Sequence, residues 1–200
     1  MKFLRLLFVS AAVCLLSTAI AISQTTTWSI DPNHSTAQFT VRHLAISNVS
    51  GNFTKVTGTV QFNDKDITQS QVNAVIDAAS IDTRVPDRDK DLRGPNFLDV
   101  EKYPSLQFKS KRIVNNAGKL QMIGDLTLHG TTHEVTLDVD GPTPELNDPW
   151  GNLRRGFSAS TTINRKDYGV VWNHTLATGE AVVGDNVKIQ IDVEIVRKKS

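Results

Sequence analysis

The chain has 200 residues, of which 39% are hydrophobic and 22% charged, and its formal net charge at pH 7 is +1. This composition is ordinary for a soluble globular protein, and the length is enough for one substantial domain. A net charge this close to zero gives no reason to expect nucleic acid or an anionic membrane as a partner.

The first 21 residues have the pattern of a cleavable secretory signal peptide. Lys2 and Arg5 supply the positive region, residues 6–20 form an apolar run, and Ala19-Ile20-Ala21 fits a small-x-small cleavage site. The apolar run is too short to predict a membrane span, so no stable membrane insertion is expected. We predict a periplasmic protein whose mature chain starts with a flexible lead at residues 22–27.

The only cysteine, Cys14, lies inside this apolar run, so a chain cleaved after Ala21 has no thiol. A lipoprotein anchored through Cys14 is the alternative, although Val13 before it suits lipoprotein processing poorly. A domain of this size without disulfides has to be held together by its apolar core.

Alternation of apolar and polar residues, the pattern of strands with one buried face, dominates the rest of the chain. The turns Asn115-Asn116-Ala117-Gly118 and His129-Gly130 predict an antiparallel meander of three strands. Gly58 lies inside a predicted strand, which indicates a bend or close packing there. The predicted strands are 28–30, 34–43, 53–62, 70–83, 104–114, 119–128, 133–140, 155–164 and 187–195.

One long interruption of this pattern, around residues 86–103, follows the fourth predicted strand. Pro86 suits the first position of a helix and Gly94-Pro95 ends one, which predicts a short surface helix of about two turns. The segment 87–93 carries six charges in seven residues. Its acidic and basic residues alternate, which is typical of a solvated helix face with i,i+4 pairs.

Eight long strands and one short strand, each with one apolar face, predict an all-β domain that closes as a barrel or folds as a sandwich. Strands of this length favour the barrel, and eight strands enclose enough space for one small ligand. A membrane barrel would need its apolar face outward and aromatic girdles at both ends, whereas aromatic residues make up 6% of the chain.

Four separated segments give a more specific indication. They are HSTAQFTVRHL (34–44), SIDT followed by RDKDLRGPNFLDVEKYPSLQF (within 80–108), GDLTLHGTTHEVTL (124–137) and DPWGNLRRGFSASTTINRKDYG (148–169). Together they resemble the YceI-like family of lipid- and polyisoprenoid-binding periplasmic proteins. The resemblance implies an extended lipocalin-like, eight-stranded antiparallel β-barrel at residues 28–197. It also implies that the barrel holds a long amphiphile, a polyisoprenoid or an isoprenoid quinone, for carriage or sequestration.

An isoprenoid tail has no hydrogen-bonding groups, so its site has to be dry, elongated and lined by aliphatic and aromatic side chains. Leu92, Phe97 and Leu98, in and after the predicted helix, are expected to close one end of such a cavity. Apolar periodicity alone predicts a filled core as well, which remains the alternative. The residues predicted to line the cavity are Phe39, Val41, Val56, Val60, Phe62, Ile76, Leu92, Phe97, Leu98, Leu106, Phe108, Leu126, Leu137 and Phe157.

Polar contacts are needed only for a head group of the ligand. His43 ends an apolar stripe, and at a barrel mouth it would meet such a group. Arg84 and Arg88, near the charged helix, carry guanidinium groups that match pyrophosphate or quinone oxygens. The alternatives are a hydrogen-bonded core histidine and a solvated helix face. Trp150 is expected to staple its loop rather than to contact lipid.

The sequence contains no G-x-S-x-G elbow, P-loop or Rossmann fingerprint, so we expect neither an enzyme nor a cofactor. The alternative function is a secreted metal-binding stress protein that uses His129 and His133. These residues lie four apart, but in a hairpin turn their side chains need not converge, and no metal site is predicted. A homodimer would suit a ligand longer than one barrel.

Overall fold

Antiparallel strands make up most of the chain in the computed structural model, which describes residues 25–198. The predicted signal peptide, including Cys14, lies outside these residues. The one α-helix of the described range is α1 (Pro86–Arg93), and 3-10 turns occur at Ile67–Gln69, Ala78–Ser80 and Arg165–Tyr168. The strands are β1 (Thr25–Ile30), β2 (Thr36–His43), β3 (Ser47–Phe53), β4 (Val56–Asn63), β5 (Gln71–Asp77), β6 (Ile81–Asp82), β7 (Ser105–Asn116), β8 (Lys119–Leu128), β9 (Thr131–Asp140), β10 (Leu146–Asn147), β11 (Asn152–Asn164) and β12 (Val183–Lys198).

These strands occupy eight antiparallel lanes, because three lanes are each split into two strands. β1 and β2 share one lane, β3 and β4 the next, and β5 and β6 the third. β7, β8, β9, β11 and β12 follow in order, and β10 adds a short edge to β11. The long strand β12 pairs with β11 on one side and with both β2 and β1 on the other. The sheet therefore closes into the predicted eight-stranded antiparallel barrel.

Three parts of the strand prediction are wrong, and one of them is the strand 70–83, which the 3-10 turn Ala78–Ser80 divides into β5 and β6. Thr25–Thr27, expected in a flexible lead, belong to β1 and pair with Gln61–Asn63 of β4. The strand β3 lacks a predicted counterpart, because its sequence SNVSGNF has two apolar side chains and no regular alternation. Its pairing with β2 over Ser47–Phe53 supplies the order that its own sequence does not indicate.

The predicted helix and turns are confirmed. α1 begins at Pro86 and ends before Gly94, whose backbone N–H bonds the carbonyl of Asp91 at 2.9 Å. Gly58 has the predicted close packing, because a Cβ at this position would lie 2.2 Å from the carbonyl oxygen of Asn73. No helix within residues 25–198 is both long and apolar enough to cross a membrane.

The apolar faces of the strands point into the barrel and form its core. Three fully buried side chains, those of Trp28, Val56 and Ile195, belong to a large cluster towards the end at which β1 starts and β12 finishes. A smaller cluster is built on Leu128, Ile163 and Tyr168, at the opposite end. Burial of apolar surface is thus spread along the barrel.

Two long connections lie over that opposite end, which we call the covered end. Residues 83–104, with α1, join β6 to β7, and residues 165–182 join β11 to β12. Strand pairing is sparse nearby: β9 and β11 pair only over Asp138–Asp140 and Ser158–Ser160, and β3 pairs with β6 only at Asn52 and Phe53. The connections therefore complete the barrel wall where the strands separate.

Candidate functional site

The inward faces of the strands surround a cavity with a volume of about 280 Å³. Successive side chains of a strand point to opposite faces, so β2 contributes Ala37, Phe39 and Val41 to the wall. Aliphatic and aromatic side chains make up nearly all of this wall. The volume is near the lower limit of roughly 300–1,000 Å³ that is usual for small-molecule sites. Such a space favours an apolar guest, because water gains few hydrogen bonds in it.

The structure places all fourteen residues predicted to line a cavity on this wall. Their role as ligand contacts stays a prediction. They come from seven of the eight lanes and from the connection that carries α1. The residues are Phe39, Val41, Val56, Val60, Phe62, Ile76, Leu92, Phe97, Leu98, Leu106, Phe108, Leu126, Leu137 and Phe157.

Two glycines make room for the phenylalanines of this wall. A Cβ at Gly124 would lie 2.6 Å from Cζ of Phe108, and a Cβ at Gly51 would lie 2.7 Å from Cζ of Phe39. Any larger residue at either position would push a phenyl ring out of its place. The shape of the cavity therefore depends on small residues in β3 and β8 as well as on the large ones.

At the covered end the wall is completed by Leu92, Phe97 and Leu98. Leu92 belongs to the last turn of α1, and the chain then folds back so that the N–H of Leu98 bonds the carbonyl of Leu92 at 3.0 Å. The N–H of Phe97 bonds the carbonyl of Gly94 at 3.1 Å. This compact turn presents both following side chains to the interior. The three residues thus lie where the sequence predicts a closed cavity end.

Charged residues of α1 fasten this segment to the barrel. The buried carboxylate of Asp89 accepts from the N–H of Thr83 at 2.8 Å and from its hydroxyl at 2.5 Å. Arg88 donates to the hydroxyl and carbonyl oxygens of Thr83, and Arg93 donates to the carbonyls of Ala79 and Ile81. The interpretation of the helix as a solvated, internally paired face is therefore wrong for these three residues.

The cavity wall carries few polar groups. One of them, Arg165, is 5% exposed and lies at the covered end. Its guanidinium donates to the carbonyls of Val170, Trp172, Val183 and Gly184 and contacts the carboxylate of Asp185. These bonds use all five of its N–H groups, so Arg165 ties the 165–182 connection to β12. Within residues 25–198 the polar residues of the wall are Gln38, Ser70, Gln107, Thr161 and Arg165.

Arg165 and Tyr168 have no predicted role in the sequence pattern. Both are buried in the 3-10 turn that ends β11, and Gly169 stops that turn in the left-handed conformation. Burial lowers the pKa of Arg165 and raises the pKa of Tyr168 to about 12. A long polar side chain between two strands gives no periodic signal of burial, and the glycine was the only local indication of a structured turn.

None of the three predicted head-group residues lies on the cavity wall. His43 is half-buried at the end of β2, opposite Val183. Arg84 is exposed, in the left-handed region with φ of 63°. The guanidinium of Arg88 is used on Thr83. Their contact with a ligand head group stays a prediction, and the geometry adds no support to it.

His129 and His133 bond to the backbone of the neighbouring connection. Nδ1 of His129 lies 3.2 Å from the carbonyl oxygen of Tyr168, and Nε2 of His133 lies 3.0 Å from that of Asp167. Since a carbonyl only accepts, these ring nitrogens carry the protons. Both histidines therefore hold the 165–168 turn against the β8–β9 hairpin, which is a different role from the alternative metal site.

Within residues 25–198, one group of acidic and histidine side chains has ligand atoms close enough together for a metal ion: Asp31, His34 and Glu194. Arg154 already occupies this place. It donates to Asp31 and Asp148 at 2.7 Å each and also contacts Glu194. Burial alone would raise the pKa of Asp31, but hydrogen bonds from Arg154, His34 and the N–H of Asn33 hold it at about 2. The cluster is an ion-pair network that joins the residue after β1 to β11 and β12.

Trp150 does not staple its loop as predicted. Its ring is 80% exposed. The loop is held instead by the carboxylate of Asp148, which accepts from the N–H groups of Trp150 and Asn152.

Comparison with known proteins agrees with this architecture. Residues 28–195 match the sequence model of the YceI-like domain. A UPF0312 protein of Staphylococcus epidermidis is 37% identical over 169 residues, which cover 84% of this chain and 96% of that protein.

Two solved structures have a similar fold. The Campylobacter jejuni YceI protein superposes with a TM-score of 0.66 at 28% identity, over 79% of this chain and 90% of that one. A polyisoprenoid binding domain from Saccharophagus degradans, implicated in plant cell wall breakdown, gives 0.60 at 14% identity, over 84% and 97% of the two chains. At that identity the second likeness concerns the fold alone.

Proposed function

Because the chain belongs to the YceI-like domain family, we propose that it binds a long amphiphile, a polyisoprenoid or an isoprenoid quinone, with the apolar tail inside the barrel. The observation that carries this proposal is the cavity of about 280 Å³ with its almost wholly aliphatic and aromatic wall. Transfer of an apolar chain from water into such a space gains about 25 cal/mol for each Å² of surface buried.

A domain with the same fold has a name that gives this ligand class. The structure from Saccharophagus degradans that shares the fold is a polyisoprenoid binding domain. The wall of this barrel suits a polyisoprenoid, because an isoprenoid tail makes dispersion contacts and forms no hydrogen bonds along its length. Catalysis is not part of the proposal, since within residues 25–198 the cavity wall carries no carboxylate or histidine.

A chain longer than the cavity has to displace wall residues or extend through an end of the barrel. The covered end suits such a movement, since side-chain contacts and few strand hydrogen bonds close it there. We propose carriage or sequestration of the lipid in the periplasm, the compartment that the sequence pattern of the first 21 residues predicts. A homodimer that encloses a longer ligand is part of the same proposal.

Extraction of the purified protein with organic solvent, followed by mass spectrometry, tests the ligand class. We expect a lipid with an isoprenoid tail in near-stoichiometric amount, or, from protein stripped of lipid, saturable binding of added ubiquinone-2 or farnesol. An empty extract together with no binding of either probe would overturn the proposal. Size-exclusion chromatography with light scattering separately tests the homodimer.

A further inference from the structure

The hydroxyl of Tyr168 is a buried polar group without a hydrogen-bond partner among the described residues. The residue is 2% exposed and ends the 3-10 turn after β11, at the covered end. Natural proteins pair nearly all such groups, since an unpaired buried hydroxyl has lost its bonds to water without replacement. The phenol of Tyr168 therefore needs an explanation.

The position of the ring is fixed from several sides. The carbonyl of Tyr168 accepts from His129, and its ring meets that of His133 edge to face at 5.0 Å. It shares a buried cluster with Leu128 and Ile163. These two residues line the cavity, as do the partly buried residues packed against the cluster: Leu98, Leu106, Leu126, Val135, Val187 and Ile189. Tyr168 itself is not a lining residue, so its ring lies directly behind this layer, and a ligand reaches the phenol where it extends past the layer at the covered end.

A phenylalanine would fill the same space without an unpaired hydroxyl. The tyrosine is therefore not explained by packing. Arg165, three residues earlier in the chain, does not pair with the hydroxyl of Tyr168 either. Every N–H of Arg165 donates to a backbone carbonyl or to Asp185. Burial raises the pKa of Tyr168 to about 12, so the phenol is neutral and able to donate at physiological pH.

We propose that Tyr168 donates a hydrogen bond to an oxygen of the bound lipid's head group, which then lies at the covered end. The inference rests on the proposed function and narrows it to neutral lipids with a carbonyl or hydroxyl oxygen. Quinones and isoprenoid alcohols share this chemistry. Charged head groups fit less well, because Arg165, the cation of the cavity wall within residues 25–198, already has all its N–H groups in hydrogen bonds.

The test compares wild type with Tyr168→Phe for three probes: ubiquinone-2, farnesol and the hydrocarbon farnesene. We expect the variant to bind one or both oxygen-bearing probes about 10-fold more weakly, the size of one hydrogen bond. Farnesene should bind both proteins equally. A loss for ubiquinone-2 alone indicates a carbonyl acceptor, and a loss for farnesol alone indicates an alcohol. Tyr103→Phe removes the hydroxyl of the chain's other tyrosine at the same end and should change none of the three affinities.

The stability of the ligand-free proteins gives a second test, in which Tyr168→Phe is expected not to weaken the protein. Removal of an unpaired hydroxyl should leave the ligand-free variant at least as stable as wild type, whereas a phenol with an internal partner would leave it less stable. A less stable ligand-free variant would overturn the inference. Equal binding of all three probes by both proteins would also overturn it and leave the proposed function standing. If no probe binds either protein, the proposed function fails first.

Discussion

The ring of Phe97 lies 5.1 Å from that of Trp172, tilted by 48°, and this contact joins the two long connections of the covered end. Phe97 is 8% exposed and lines the cavity, while Trp172 is half-buried and lies outside the lining residues. One aromatic pair thus links the α1 segment to the connection between β11 and β12. Side-chain packing of this kind opens more readily than a hydrogen-bonded strand ladder.

Replacement of Trp172 should loosen this closure. We expect Trp172→Ala to raise the rate of ligand release several-fold, because an aromatic pair contributes about 0.5–1.5 kcal/mol beyond its area burial. Stopped-flow exchange of bound ubiquinone-2 measures the rate. Trp150→Ala, which removes an 80% exposed indole at the other end of the barrel, is the matched control. Equal release rates in wild type and Trp172→Ala would show that the ligand leaves by another route.

The carboxylate of Asp89 should stabilise the fold although it belongs to a charged surface helix. Asp89→Ala leaves the N–H and hydroxyl of Thr83 without their partner, and we expect a loss of about 1–3 kcal/mol in the free energy of unfolding. Asp91→Ala, at an exposed position of the same helix, should change it by less than about 0.5 kcal/mol. Urea denaturation measures both. Similar values for the two variants would contradict the assigned role of Asp89.

The network around Arg154 predicts a loss of stability in acid. The pKa of Asp31 is about 2 in the folded protein against 3.8 for an unperturbed aspartate. A depressed pKa contributes stability above the unfolded value, and this contribution is lost as the pH falls from about 4 through about 2. Asp31→Asn should therefore be less stable than wild type at pH 7 and should lose less further stability in acid.

Denaturant unfolding at pH 7, 4 and 2.5 measures this difference. The exposed residue Asp192, on β12, provides the control variant Asp192→Asn, which should follow wild type at each pH. A parallel decline for Asp31→Asn and wild type would show that the carboxylate of Asp31 is not held ionised by Arg154.

His129 and His133, in the β8–β9 hairpin, should stabilise the 165–168 turn and should not bind metal. Loss of both side chains in His129→Ala/His133→Ala removes two bonds to backbone carbonyls, so amide hydrogen exchange at Gly169 and Val170 should become faster. Equilibrium dialysis with zinc should give the same binding for wild type and variant. Zinc binding that disappears in the variant, with unchanged exchange, would support the alternative metal-binding function.

The barrel could be predicted because alternation along each strand is a local signal that survives folding. Phe39, Val41, Leu126 and Phe157 are found on one interior wall for that reason. Pro86 and Gly94 are local signals as well, and they predicted where α1 begins and ends. The strand β3 could not be found, since its order comes from pairing with β2.

The polar parts of the candidate site were harder to predict for a related reason. Asp89 and Arg165 are buried largely against main-chain groups, and Tyr168 is buried against side chains of β8 and β11. Neither kind of contact leaves a pattern in the sequence. Apolar periodicity also does not distinguish a filled core from a cavity. That distinction depends on how far opposite walls approach each other, which only the three-dimensional structure gives.

Native mass spectrometry of the wild type beside two phenylalanine variants tests the central claim, that the cavity holds a lipid tail. Ala159 lines the cavity, and Ser160, next along β11, lies on a polar groove with Lys188 and Gln190. Ala159→Phe places a ring inside the cavity without burying a charge, whereas Ser160→Phe places the same ring outside. We predict that wild type and Ser160→Phe carry the additional mass of an isoprenoid lipid and that Ala159→Phe does not. Equal lipid occupancy in a folded Ala159→Phe, or no lipid on any of the three proteins after incubation with ubiquinone-2, would contradict the account.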